Sequence, residues 1–173
     1  HKRVSTLQSP AVPTAELIWD EFGHPVSKNH NDVYYSRENG IDETHYVFLK
    51  YNRIGERIQE TGKRPHLTVA EIGFGTGLNF LCCWLEWINK KQTDEVVPLH
   101  FISVENAPLA VSDLIKALAN WPELSHLSKQ LAAQYPDPVK GCHRLVFEDG
   151  LVTLTLYIGD AEEQYNQALF LAY

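Results

Sequence analysis

Methionine is absent: none of the 173 residues is Met, not even the first. Such a chain is expected to be processed, modified or incompletely represented. Cysteine is scarce, with only Cys82, Cys83 and Cys142. Two adjacent thiols do not make a metal-ligand spacing, and an odd count is no disulfide framework. Buried thiols in a reducing compartment are the expectation, with no metal. No stretch approaches the roughly 18 apolar residues of a membrane span. No basic segment leads into an apolar one, as a secretory signal would require. These absences predict a cytoplasmic protein with no membrane partner. Positive charge is also short: 15 Lys and Arg against 22 Asp and Glu leave a net charge of −7. That balance argues mildly against nucleic acid, although a local basic patch can act within an acidic protein.

What is present suits a soluble α/β domain. The chain is long enough to bury a sizeable core, and its 44% hydrophobic share is ordinary. Its centre is the stretch from Leu67 to Phe80, an apolar strand that breaks at Gly73, Gly75 and Gly77 and continues as a helix. Glycines let the backbone approach a ligand where a Cβ would block it. The helix that follows presents free N–H groups and the positive end of its dipole.

Around this stretch the patterns are readable. Residues 1–15 are expected to form a loose arm. Glu16–Asp20 and Pro25–Val26 predict a short hairpin around Phe22, Gly23 and His24. Residues 31–36 are polar and aromatic, Arg37–Gly40 reads as a turn, and Ile41–Gln59 reads as a helix that Gly55 could interrupt. Thr61–Pro65 is a linker. Leu78–Lys91 predicts a helix with Phe80, Leu81, Trp84, Leu85 and Ile88 on its buried face. Leu99–Val104 predicts a strand ended by Glu105 and Asn106, and Pro108–Asn120 a helix. A short helical piece is expected at Leu127–Gln134. His143–Phe147 and Leu151–Ile158 predict strands joined through Asp149–Gly150, a strong hairpin signal. A helical tail is expected after Gly159 and Asp160. This order indicates a parallel α/β sheet. Residues 1–65 are expected to pack as an extension on a core formed by 66–173.

Three nucleotide ligands compete for the glycine turn. A phosphate-binding loop of the ATPase kind needs Gly-Lys-Ser/Thr at its end, and Leu78–Asn79 stands there instead. The dinucleotide pattern G-x-G-x-x-G places its last glycine where this chain has Leu78. S-adenosylmethionine, with its sulfonium and amino-acid head, calls for carboxylates. Glu71 can face the cationic part, Glu105 the ribose hydroxyls and Asp160 the adenine amino group. All three stand at expected strand ends, along the edge where open α/β sheets bind ligands. Each has a plainer reading too: Glu71 as an exposed strand-end charge, Glu105 or Asp160 as a helix cap.

Several stretches together resemble one family. They are Asp32–Leu49, Ala70–Phe80, Ser103–Leu109, Trp121–Leu124 and Pro138–Arg144, within a resemblance that runs over most of residues 16–160. The family is the methyltransferase part of the bacterial bifunctional protein of tRNA 5-methylaminomethyl-2-thiouridine biosynthesis. The resemblance implies a class I, Rossmann-like methyltransferase fold. It implies transfer of a methyl group from S-adenosylmethionine to the aminomethyl nitrogen of a tRNA wobble uridine. Glu71, Gly73, Phe74, Gly75, Thr76, Gly77, Asn79, Glu105, Asn106 and Asp160 are the expected cofactor residues. Asp32, Tyr34 and Ser36 are placed near the acceptor, with packing and turn-capping as the alternative. In the family a covalently linked FAD-dependent oxidase domain usually follows; nothing in this chain resembles it, so FAD is not expected here. A class I sheet of about seven strands is not filled by these residues, so the sheet looks incomplete on its C-terminal side. The full protein is expected to be longer, with the catalytic residues beyond Tyr173. Arg53, Arg57, Lys63 and Arg64 read as a solvated face rather than a phosphate patch. A small-molecule methyltransferase and a non-catalytic cofactor-binding part of a larger tRNA-modifying protein stay open as alternatives.

Overall fold

The computed structural model describes residues 11–21, 23–28, 54–58 and 66–160. Expectations for the acceptor segment at 31–36, the linker, most of the 41–59 helix and the tail after Asp160 lie outside these residues. The hairpin forms as the turn residues dictate: β1 (Leu17–Trp19) pairs antiparallel with β2 (Pro25–Ser27). It is tied to the rest of the molecule through Asn120, whose Nδ2 donates to the Gly23 carbonyl at 3.0 Å. The Lys116 ammonium also lies 4.1 Å from the Trp19 ring centroid. A short helix, α1 (Ile54–Ile58), runs through Gly55, and its Ile58 carbonyl accepts from Val97 N–H.

The main sheet holds β3 (Leu67–Ile72), β4 (Leu99–Glu105), β5 (Gly141–Phe147) and β6 (Val152–Ile158). Its order is β3-β4-β6-β5. The first three in that order are mutually parallel, and β5 joins β6 antiparallel. The sequence-based hairpin is thus correct. Its turn carries positive φ at Glu148 (52°) and Asp149 (54°) as well as at Gly150. The Trp84 indole N–H donates to the Glu148 carboxylate at 3.0 Å across that turn. β3 is an edge strand among the described residues, and its Ile72 is 73% exposed.

Helices α2 (Leu78–Lys91), α3 (Val111–Leu118) and α4 (Ser125–Gln134) fill the connections. α2 matches its expected span. Of the expected stripe, Phe80, Leu81 and Trp84 are buried while Leu85 and Ile88 are only partly so, and Leu78, Cys82, Cys83 and Trp87 are buried as well. Trp87 satisfies its indole N–H on the Val97 carbonyl at 2.9 Å, which lets so large a ring sit fully inside. α3 is shorter than expected because Ala110 is still extended (φ −63°, ψ 146°), so the helix starts only at Val111. α4 begins two residues early, after a 3-10 turn at Pro122–Leu124.

The core is one cluster between α2, α3, α4 and a single face of the sheet, with Ile58 of α1. Leu67 and Val69, Leu99 and Phe101, Leu154 and Leu156, and Leu145 and Phe147 alternate into it from the four strands. Phe80 lies at its centre, 5.4 Å from Phe101, 5.8 Å from Phe147 and 5.7 Å from Trp84 by ring centroids. Each such side chain contributes roughly 1.5–3 kcal/mol by leaving water. This packing fixes α2 against β3 and therefore fixes the glycine turn between them.

Candidate cofactor site at the carboxyl edge

Parallel strands bring their carboxyl ends to one edge. The register makes this concrete: Glu71 stands opposite Ser103, and Glu105 opposite Ile158. Two further bonds extend the ladder past the strands, Gly73 N–H to the Val104 carbonyl at 2.8 Å and Gly159 N–H to the Glu105 carbonyl at 3.0 Å. Glu71 and Glu105 thus share one face of neighbouring strands, and Asp160 follows at the end of the third. Asp160 is exposed and Glu105 half-buried.

Between Ile72 and Leu78 the chain turns through positive φ at Gly73 (85°), Gly75 (55°) and Gly77 (77°). A side chain at any of them would be strained. The surroundings separate their roles. A Cβ on Gly73 would meet nothing within 4 Å, so this glycine borders open space. A Cβ on Gly77 would come to 2.7 Å from the Phe74 ring and 3.1 Å from Leu131. Gly77 is also the residue before α2, and no side chain caps that helix. Its first-turn N–H groups and dipole end therefore face the turn without a carboxylate from their own helix.

The named residues divide accordingly. Phe74 is buried and stacks on Tyr135 with centroids 6.4 Å apart, so its ring belongs to the core and only its backbone lines the turn. Thr76 is buried as well. Glu105 is more than a strand-end charge. One carboxylate oxygen accepts from Gly75 N–H at 3.0 Å and the other from Ala107 N–H at 3.0 Å. It braces the glycine turn from the neighbouring strand, and it caps the turn before α3 rather than the helix itself. Each oxygen keeps further lone-pair capacity for a donor. Asn106, next to it, is exposed.

Glu71 is held differently. Asn79 Nδ2, in the first turn of α2, donates to one oxygen at 2.9 Å, and Ser103 Oγ donates to the other at 3.5 Å. Asn79 is thereby a partner of Glu71, a contact its place in the motif does not reveal. Burial raises the Glu71 carboxyl to about 7, against the lowering effect of these two hydrogen bonds, and the neighbouring Glu105 adds to the rise. Of the cysteines, Cys82 is pushed up to about 12 and Cys83 well above its ordinary value, both chiefly by burial, so these thiols are packing groups. Among the described residues no His, Cys, Asp and Glu group could hold a metal ion, and no helix is long and apolar enough to cross a membrane.

Residues 122–171 match the model of an S-adenosyl-L-methionine-dependent methyltransferase family. The tRNA 5-methylaminomethyl-2-thiouridine biosynthesis bifunctional protein MnmC of Marinobacter nauticus is 46% identical over 170 residues, 98% of this chain and 27% of that protein. The protein of the same name from Aliivibrio fischeri is 45% identical over 161 residues, 91% of this chain and 23% of its own length. The chain thus spans about a quarter of the relatives it matches. The crystal structure of MNMC2 from Aquifex aeolicus shares the fold, with a TM-score of 0.63 at 20% identity over 91% of this chain and 46% of that one. The strand–glycine turn–helix, the mostly parallel sheet and these matches agree: the chain has the fold of the S-adenosyl-L-methionine-dependent methyltransferases and is similar to about a quarter of the MnmC bifunctional proteins.

Proposed function

We propose that the chain binds S-adenosylmethionine at the carboxyl edge and takes part in methylating the aminomethyl nitrogen of a tRNA wobble uridine. The observation that carries the reading is the convergence of Glu71, Glu105 and Asp160 at three adjacent parallel strand ends, around a glycine turn that is open at Gly73. Glu105 is assigned to the ribose hydroxyls, Asp160 to the adenine amino group and Glu71 to the cationic part of the cofactor. Gly73, Gly75 and the backbone of Phe74 and Thr76 give it room, and the uncapped N-terminus of α2 suits its carboxylate. Asn79 positions Glu71, Gly77 closes the turn and Asn106 borders the ribose side. Asp32, Tyr34 and Ser36 are assigned to the acceptor.

Bound there, the cofactor supplies an electrophilic methyl group on a cationic sulfur. What the protein adds is alignment: the sheet edge, the turn and α2 are rigid elements packed through one core, and holding reactants in line is worth several kcal/mol. The acceptor amine must be unprotonated, so a carboxylate or carbonyl near it has to take its proton. The printed names of the relatives, tRNA 5-methylaminomethyl-2-thiouridine biosynthesis proteins, support the tRNA substrate. The word bifunctional in those names also supports a covalently linked second part; the resemblance assigns to that part an FAD-dependent oxidase, and the proposed setting is cytoplasmic. Residues 1–65 are assigned as an extension on the 66–173 core.

Calorimetric titration with S-adenosylmethionine and with NAD tests the cofactor. Binding of the first and none of the second is expected; the reverse would overturn the reading. Methyl transfer to tRNA that carries the aminomethyl wobble uridine then tests the acceptor. Transfer to a small amine but none to that tRNA would replace the tRNA substrate by a small molecule.

A further inference from the structure

The two carboxylates at the centre of the site are not equivalent, and the difference has a consequence for how a cation enters. Glu105 is bound by two backbone N–H groups. Glu71 has only neutral side-chain donors, the Asn79 amide from α2 and the Ser103 hydroxyl from β4. Among the described residues, the charged or titratable groups that face it are acidic: Glu105 at the end of β4 and the buried thiol of Cys83 on α2. Among the described residues no Lys, Arg or His forms an ion pair with it. A half-buried carboxyl beside a second carboxylate, with no cation paired to it among the described residues, favours its protonated form.

The geometry points to a proton exchange at this position: the cationic cofactor displaces a proton from Glu71, and its binding is accordingly weakened by acid. The inference rests on the cofactor reading above. The step balances simply, since the carboxyl loses its proton to solvent as the cofactor cation takes its place. No bond of the cofactor changes. The free carboxyl titrates at about 7, so the binding-competent carboxylate is a minority below that pH and the majority above it. Apparent affinity scales with the competent fraction. The cofactor's own amino group, with an ordinary value near 8, stays protonated across the acidic range and does not confuse the result.

The test is calorimetric titration of the protein with S-adenosylmethionine between pH 5.5 and 7.0. Affinity is expected to rise on the order of tenfold across this range, as the carboxylate fraction grows. At pH 7, titration in two buffers of different ionisation enthalpy should report release of roughly half a proton per cofactor bound. Glu71→Gln should bind more weakly at pH 7 and show a flat pH profile; because it keeps a side-chain oxygen for the Asn79 amide, it should retain the fold. Measurable binding with a flat profile in the native protein, or an unchanged slope in Glu71→Gln, would overturn the inference while leaving the cofactor assignment intact. Absence of binding at every pH would instead overturn the cofactor assignment. The proton count needs no variant, so it decides the matter even if Glu71→Gln fails to fold.

Discussion

The glycine turn has two sides, and they obey different rules. On the core side, a Cβ at Gly77 would run into the Phe74 ring and Leu131, and Phe74 stacks against Tyr135. On the cleft side, Gly73 borders open space, and Gly75 is hydrogen-bonded to a carboxylate of the next strand. One run of alternating glycines therefore does two jobs. Gly77 lets the turn close on the core, and Gly73 leaves room for something outside the protein. Substitutions on the two sides should separate stability from cofactor affinity.

The largest effect is expected from Gly77→Val. The new side chain would overlap Phe74 and sit at a φ of 77°. Overpacking costs about 1–3 kcal/mol and the backbone strain a similar amount, together about 2–6 kcal/mol. Denaturant unfolding of the ligand-free protein measures this directly. A loss below about 1 kcal/mol would mean that the core side is soft, and the contrast would vanish.

Glu105→Ala comes next. It strips the Gly75 and Ala107 N–H groups of their acceptor. Hydrogen bonds to a charged group are worth about 1.5–3 kcal/mol each, although water can satisfy these partly exposed donors, so a stability loss of about 1–3 kcal/mol is expected. Cofactor affinity should fall at least tenfold, because the ribose acceptor is lost and the turn is no longer braced. An affinity equal to the native one would remove Glu105 from the site and leave it as a brace alone.

Gly73→Ala sharpens the comparison from the other direction. Its Cβ meets no atom, so only the backbone strain at a φ of 85° opposes it, at a cost of about 1 kcal/mol. Cofactor affinity should suffer more than stability does. A variant that binds normally would mean that the ligand does not approach the turn at this glycine.

The division between the two sides was only partly legible in the sequence. β3, α2 and β4 followed from period-2 and period-3.6 patterns that end on glycine or on Glu105, and the Asp149–Gly150 pair gave the β5–β6 hairpin. These are local signals, and local signals survive folding. Phe74 was not legible: a residue flanked by two glycines looks ligand-facing, and only the position of Tyr135, some sixty residues on, turns its ring inward. Trp87 escaped for a similar reason, since its indole needed the Val97 carbonyl beyond the end of the helix. The carboxylates at the strand ends were visible, because topology alone places them. Their unequal hydrogen bonding was not, because Ala107 N–H lies within a turn and Asn79 reaches back across one.

The effect with a diagnostic sign is expected from Glu71→Gln in the ligand-free protein. Folding raises the Glu71 carboxyl from 4.5 to about 7, so between these values the folded state holds a proton that the unfolded chain has released. Its contribution to stability is fully present below pH 4.5 and is lost as pH rises through 7. At pH 8 the native protein carries a half-buried carboxylate beside Glu105; glutamine removes that charge and keeps the contact with Asn79. Glu71→Gln should therefore unfold at a higher denaturant concentration than the native protein at pH 8, with the two converging towards pH 5. All other titrating groups are common to both proteins and cancel in the difference. A variant less stable than the native protein at pH 8 would make Glu71 an anchor of the fold, as Gly77 is. A more stable one places it on the cleft side, where a residue that the empty fold would be better without is kept for its ligand.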